Sequence, residues 1–186
     1  MINKNKIILD LCGGTGAWSR PYKKAGYDVR LITLPDNDVR LYQPPENVYG
    51  ILAAPPCTVF SLAGNWVKRT NDEMIEALSV VDACLRIIYK SKPKFWALEN
   101  PVGKLKNWIG KPIMIFNPWQ FGDGTFKKTA LWGDFNKPIQ NTFEEPTRIK
   151  YSETPIGRLG GKSAKTKELR SITPAGFAQA FFDSNR

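Results

Sequence analysis

The stretch "ILAAPPCTVFSLAGNW", residues 51–66, runs from aliphatic side chains into two prolines, then a cysteine followed by small polar residues. Proline fixes φ and pushes the residue before it into an extended conformation, so Ala54 stays strand-like and Cys57 is held at a defined place just beyond a strand. A nucleophile is mounted in this way. A second candidate is Glu99 in "FWALENP", a carboxyl directly after an apolar run and directly before Asn100 and Pro101. A third is "DLCGGTG", where Asp10 precedes Gly13, Gly14 and Gly16. Glycines there let the backbone approach a cofactor with no Cβ in the way, and a following helix offers free N–H groups. The order differs from the G-x-G-x-x-G of dinucleotide sites, and the acid ahead of the glycines points elsewhere. The chain has no histidine, so any acid or base is Asp, Glu, Lys, Tyr or Cys. Three cysteines, Cys12, Cys57 and Cys84, stand at wide, unrelated spacings that suit neither a disulfide framework nor a zinc site, and no metal is expected.

These groups need elements to carry them. "KIILDLCGGTGAWSRPYKKAGYDVRLI" reads as an apolar strand from Ile7 to Leu11, a glycine turn, a short basic helix ending near Gly26 and a second strand, the opening of a βαβ unit. "TNDEMIEALSVVDACLRIIYKSKP" is the clearest helix: Thr70 and Glu73 fit a capping box, Met74, Leu78, Val81, Leu85 and Ile88 recur on one face, and Pro93 closes the segment. Cys84 lies beside that stripe and reads as a core thiol. A strand is expected over Phe95–Leu98, ending in Glu99-Asn100-Pro101, and shorter strands with tight turns in "MIFNPWQFGDGTFKKTALWG". Strands of an open α/β sheet deliver functional residues at their carboxyl ends, and three such ends here carry unusual polar endings. The expected fold is a single α/β domain, 1–186, around a mostly parallel, doubly wound sheet; 186 residues at 42% hydrophobic bury one sizeable core.

Charge bounds the partners. Lys plus Arg number 27 against 17 Asp plus Glu, a net +10, which favours a polyanion and nucleic acid first. No membrane span or signal peptide is visible, and a cytoplasmic protein is expected.

Together "DLCGGTG", "PPCTVFS", "LENPV" and the late "RSITPAGFAQAFF" resemble, in the same order, the motifs of the cytosine-5 DNA methyltransferase family, closest to its small phage-type members. The resemblance covers Ile7 to Phe182 and implies a Rossmann-like S-adenosylmethionine-dependent methyltransferase of bacterial or phage-infected cells. It implies that Cys57 is the nucleophile and Glu99 the carboxyl that grips the target cytosine. Cofactor contacts are implied at Asp10, Leu11, Cys12, Gly13, Gly14 and Gly16, with Trp18, Pro55 and Thr173 around them. The substrate would be duplex DNA with the cytosine flipped out of the stack.

The sequence also departs from the family. Thr33 stands where an acid usually closes the second strand and holds the cofactor ribose; Asp38, with Asp36 as rival, is the candidate for the adenine amine. The family's Gln-x-Arg-x-Arg is replaced by "FGDGTFKKTALWG", where Lys127 and Lys128 take over the positive charge next to the catalytic pair and the DNA. Only residues 129–172 separate those lysines from Thr173, too few for a target-recognition domain; a mobile basic loop, about 152–170, stands there instead. Ser61, Arg158, Lys162, Lys165 and Lys167 are the remaining candidate DNA contacts, and phosphate contacts carry affinity without sequence information. Relaxed or very short specificity follows, unless a protein partner supplies it. Two alternatives stay open: the same chemistry on RNA or free cytidine nucleotides, and a DNA-binding relative that has lost activity.

Overall fold

The computed structural model describes residues 3–62, 68–147, 168–169 and 171–186. Ile7–Leu11 (β1) is apolar on both faces save for Asp10, as a central parallel strand must be, and it lies between Asp28–Ile32 (β2) and Val48–Ala53 (β3). Phe95–Pro101 (β4) pairs in parallel with β3 on its other side. The six-stranded order is β2-β1-β3-β4-β6-β5, with Met114–Phe116 (β5) and Thr129–Asp134 (β6); β6 runs antiparallel to both β4 and β5. Four adjacent parallel strands, with only β6 reversed between β4 and the edge strand β5, match the expected mostly parallel sheet.

The chain leaves β1 toward β2 and then returns to the other side of β1 as β3, so the strand order reverses between β1 and β3. A crevice opens at such a switch point, outside the carboxyl ends. It receives the glycine turn from β1 and the Pro-Pro-Cys segment from β3, and the Ala54 amide donates to the Leu11 carbonyl at 2.9 Å to tie the two exits together.

Helices cover both faces. Asn71–Ser91 (α2) begins with the expected capping box: the Glu73 amide donates to Thr70 Oγ1 and the Thr70 amide to the Glu73 carboxylate, and Lys92 closes it in the left-handed conformation. Its buried residues Ala77, Val81, Cys84 and Ile88 pack with Leu9, Leu11, Ile51 and Leu98. On the opposite face Arg20–Lys24 (α1) and Ala175–Ser184 (α4) build an aromatic core in which Phe181 contacts Trp18, Phe95, Phe135 and Phe177. The four-residue Lys106–Ile109 (α3) follows β4. Among the described residues no helix is long and apolar enough to cross a membrane.

One element differs from expectation. The strand expected over Phe95–Leu98 runs on to Pro101, because after Leu98 has paired with Ala53 the neighbour on the other side keeps pairing: Glu99 with Leu131, Asn100 with Ala130, Pro101 with Thr129. Proline is tolerated there because β3, the neighbour its missing N–H would have faced, has already ended.

Phe181 is fully buried at the centre of the aromatic core. Phe181→Ala is expected to destabilise the chain by about 3–5 kcal/mol, read from urea unfolding followed by tryptophan fluorescence.

Candidate active site

The first wall is the turn after β1. Asp10 is fully buried and accepts the Ser19 hydroxyl on Oδ2, while Oδ1 has no hydrogen-bond partner among the described residues. Gly13 lies directly on this carboxyl: a Cβ there would sit 2.2 Å from Asp10 Oδ1, so only glycine fits. Cys12, Gly14 and Gly16 take positive φ of 57, 53 and 66 degrees, folding the backbone into a tight cradle. The side chains of Leu11 and Trp18 are buried, Trp18 against Phe177 and Phe181, so this stretch presents backbone at residues 12–16 rather than those side chains. The neighbouring Cys84 thiol holds the Cys12 thiol below its ordinary range. A Cβ on Gly14 would come 4.0 Å from Ser171 Oγ, so the segment leading to Thr173 and α4 lies beside the glycine turn. Burial raises the Asp10 carboxyl from its ordinary 3.8 to about 6, against the lowering effect of Ser19.

The β2 exit is the second wall. The Cys12 amide donates to the Ile32 carbonyl at 2.7 Å, and Thr33 follows, half-buried. Asp36 is exposed. Asp38 accepts from Arg40 on both oxygens and from the Arg40 amide, and Arg40 also pairs with Glu76. These bonds from Arg40 hold the Asp38 carboxyl below its ordinary range. Residue spacing alone does not reveal that Arg40 already holds this carboxylate.

The third wall carries the reactive groups. Pro55 is buried, Pro56 exposed and Cys57 half-buried, and the Cys57 carbonyl accepts the amides of Phe60 at 3.1 Å and Ser61 at 2.9 Å, closing a turn. Fully buried Phe60 anchors the turn in the core. The turn is fastened to the chain beyond β4: Lys104 donates its amide to the Phe60 carbonyl at 2.8 Å, and Ser61 bridges Gly103. A Cβ on Gly103 would meet that carbonyl at 2.1 Å, a close approach that sequence inspection missed.

Glu99, Cys57 and Lys127 converge. Burial pushes the Cys57 thiol up, the Lys127 cation pulls it down, and the Glu99 carboxylate pushes it up again. Burial likewise raises the Glu99 carboxyl, with Lys127 opposing. The pleat explains which lysine takes part. Glu99 is opposite Leu131 and Pro101 opposite Thr129, so side chains 131, 129 and 127 share the face of Glu99, and Lys128 falls on the other face with its carbonyl accepting the Val102 amide at 3.0 Å. Lys127 and Lys128, read alike from sequence, thus separate. Of the candidate DNA contacts, Ser61 lies in the Cys57 turn, whereas Arg158, Lys162, Lys165, Lys167 and nearly all of the expected basic loop lie outside the described residues. Among the described residues no group of three or more potential ligands could hold a metal ion.

No family model matches the chain. The type II methyltransferase M.SacI of Streptomyces achromogenes is 34% identical over 53 residues, covering 28% of this chain and 14% of that protein. M.DdeI, a type II methyltransferase of Desulfomicrobium norvegicum, is 28% identical over an alignment of 122 residues, covering 53% of this chain and 28% of that protein. The chain therefore spans less than a third of the length of these curated relatives. A solved structure assigned as a DNA modification methyltransferase encoded within an E. coli prophage superposes with a TM-score of 0.50 at 18% identity, over 69% of this chain and 46% of that one. The fold is the Rossmann-like methyltransferase fold.

Asp10 gives a pH-dependent test of the cradle. Its native pKa lies above the unfolded value, so its contribution to stability is full below about 4 and is lost as pH rises through about 6. The stability of the wild type minus that of Asp10→Asn should fall by about 3 kcal/mol between pH 4 and 7, measured by urea unfolding at each pH.

Proposed function

We propose that the chain is a DNA methyltransferase that transfers a methyl group from S-adenosylmethionine to carbon 5 of cytosine through a covalent Cys57 adduct. The observation that carries this reading is the convergence of Cys57, Glu99 and Lys127 beside the glycine cradle at the switch point. The matched proteins, two type II methyltransferases and a DNA modification methyltransferase, agree with it.

The cradle fits the cofactor, because glycines at 13, 14 and 16 expose backbone and Ser171, two residues before Thr173, stands alongside. The bound cofactor supplies an electrophilic methyl group. Cytosine carbon 5 is too weak a nucleophile to take it unaided. The Cys57 thiolate adds to carbon 6, the ring becomes an enamine, and carbon 5 can then form the new bond. Negative charge gathers on the ring during addition, and a protonated Glu99 delivers a proton to ring nitrogen 3 while accepting from the exocyclic amine. The carbon 5 hydrogen then leaves to water as a proton, the nitrogen 3 proton returns to the Glu99 carboxylate, and Cys57 departs as thiolate, restoring the neutral aromatic ring. Lys127 favours the thiolate at the start and the end. The cytosine must leave the duplex to reach this half-buried pair.

With residues 129–172 too few for a recognition domain, we infer relaxed or very short specificity, with Arg158, Lys162, Lys165 and Lys167 binding phosphates. A second reading, a DNA-binding relative without transfer, draws support from the β2 exit, where Thr33 replaces the expected acid and Arg40 occupies Asp38.

Trapping on oligonucleotides containing 5-fluorocytosine decides between the readings, since a stable adduct needs nucleophile, cofactor and base at once. Cys57→Ala should lose the adduct and all methyl transfer while keeping its fold, and Cys84→Ala should retain both; transfer by Cys57→Ala would overturn the covalent mechanism. Glu99→Gln should lower kcat by about 10²- to 10³-fold with little change in DNA affinity. Bisulfite sequencing of methylated DNA should show modified cytosines in many contexts, and a fixed motif of four or more bases would contradict the specificity reading.

A further inference from the structure

The backbone ladder between β3 and β4 ends at Ala53 and Leu98. Beyond it, Pro55 and Pro56 have no N–H with which to continue any ladder. The chain that carries the thiol nevertheless stays against β4, through a side chain. Asn100 is fully buried and its Nδ2 donates to the Pro55 carbonyl at 3.0 Å. Strand neighbours point to opposite faces, so the residue that grips Pro55 is turned away from Glu99 while being covalently joined to it. On the other side of the thiol, the Lys104 amide holds the Phe60 carbonyl. Two bonds from the segment 100–104, one to residue 55 and one to residue 60, therefore bracket Cys57.

We propose that Asn100 is a positioning residue: its amide fixes the Pro55 carbonyl and so sets the place of the Cys57 sulfur relative to Glu99. This rests on the proposed function for its consequence in catalysis and on geometry alone for its effect on the thiol. Asn100 touches no reacting atom. The donor matters: Asn100→Asp keeps the shape but loses the N–H, and an acceptor would then face an acceptor. Without the bond, the segment 100–104 holds the Cys57 turn only from the Phe60 side, the Ala54–Leu11 bond fixing the chain further back; the sulfur then gains access to solvent, and the burial that raises its thiol is relieved.

The predicted signature has two opposite signs. In Asn100→Ala and Asn100→Asp, alkylation of Cys57 by iodoacetamide, followed by peptide mass spectrometry from pH 6 to 10, should become about tenfold faster at pH 7.5, with its midpoint shifted down by about one unit. Methyl transfer should fall by about a hundredfold in kcat with KM for DNA little changed, as expected for a misplaced nucleophile. Thermal unfolding of each variant separates this from a loss of fold, and Asn100→Asp, nearly isosteric, serves if Asn100→Ala does not fold. Unchanged alkylation in a folded variant would overturn the proposal, whatever happens to kcat. A faster thiol in the variants, together with a wild type that transfers no methyl group to DNA, would leave the positioning role standing and overturn the proposed function instead.

Discussion

Pro55 and Pro56 cannot donate a backbone hydrogen bond, and this fixes how β3 ends. The parallel ladder with β4 stops at Ala53, and the chain leaves the sheet at the crevice where strand order reverses. A residue with an N–H at either place would let β3 run on beside β4, burying the next side chains in the sheet. Stopping the ladder places Cys57 at the mouth, half-buried, with its carbonyl free to close the turn through Phe60 and Ser61. It also frees the β3 side of Glu99, Asn100 and Pro101, so these residues pair with β6 alone. One missing donor pair thus shapes both the strand exit that carries the thiol and the strand end that carries the carboxyl.

The antiparallel β6 completes the arrangement. A parallel strand in its place would return through a crossover and bring its amino end to the opposite edge of the sheet. Running antiparallel, β6 starts where β4 finishes, and its leading residues arrive beside Glu99. The pleat then selects Lys127 over Lys128 without any local preference in either residue. Gly103 allows the Cys57 turn to close on the same region, because its missing Cβ leaves room for the Phe60 carbonyl.

What was legible from sequence follows the range of each signal. The α2 capping box, the β1 strand and the glycine turn are written in residues within a few positions of one another and match the sequence reading, whereas the buried face of α2 is turned toward Ala77, Val81, Cys84 and Ile88, leaving Met74, Leu78 and Leu85 of the expected stripe only partly buried. The polar endings at Asp10, Cys57 and Glu99 were legible as strand ends, because prolines and glycines punctuate locally. The extension of β4 to Pro101, the choice of Lys127, the grip of Asn100 on Pro55 and the pairing of Asp38 with Arg40 depend on contacts with residues elsewhere in the chain or on register, which spacing does not encode. Asp10 shows the same limit within a motif. Its place before the glycines marked a cofactor turn, but its full burial under Gly13, with Ser19 as partner, comes from the closure of that turn on itself.

The charges at the site set a constraint on the proposed chemistry. Burial disfavours ionisation of both Cys57 and Glu99, the two anions repel each other, and Lys127 stabilises either. One cation facing two such acids favours the state with a single negative charge between them. The ordinary order of acidity puts that charge on Glu99 and leaves Cys57 a thiol, the reverse of what addition to carbon 6 requires. The reactive state is reached by moving one proton from the sulfur to the carboxyl, with no change in the net charge that Lys127 balances. The same proton is then the one Glu99 hands to ring nitrogen 3, at the moment the thiolate becomes a carbon–sulfur bond and its negative charge passes to the ring. Burial disfavours either anion and Lys127 stabilises either, so the transfer runs against the ordinary order of acidity but leaves the single negative charge opposite Lys127 unchanged.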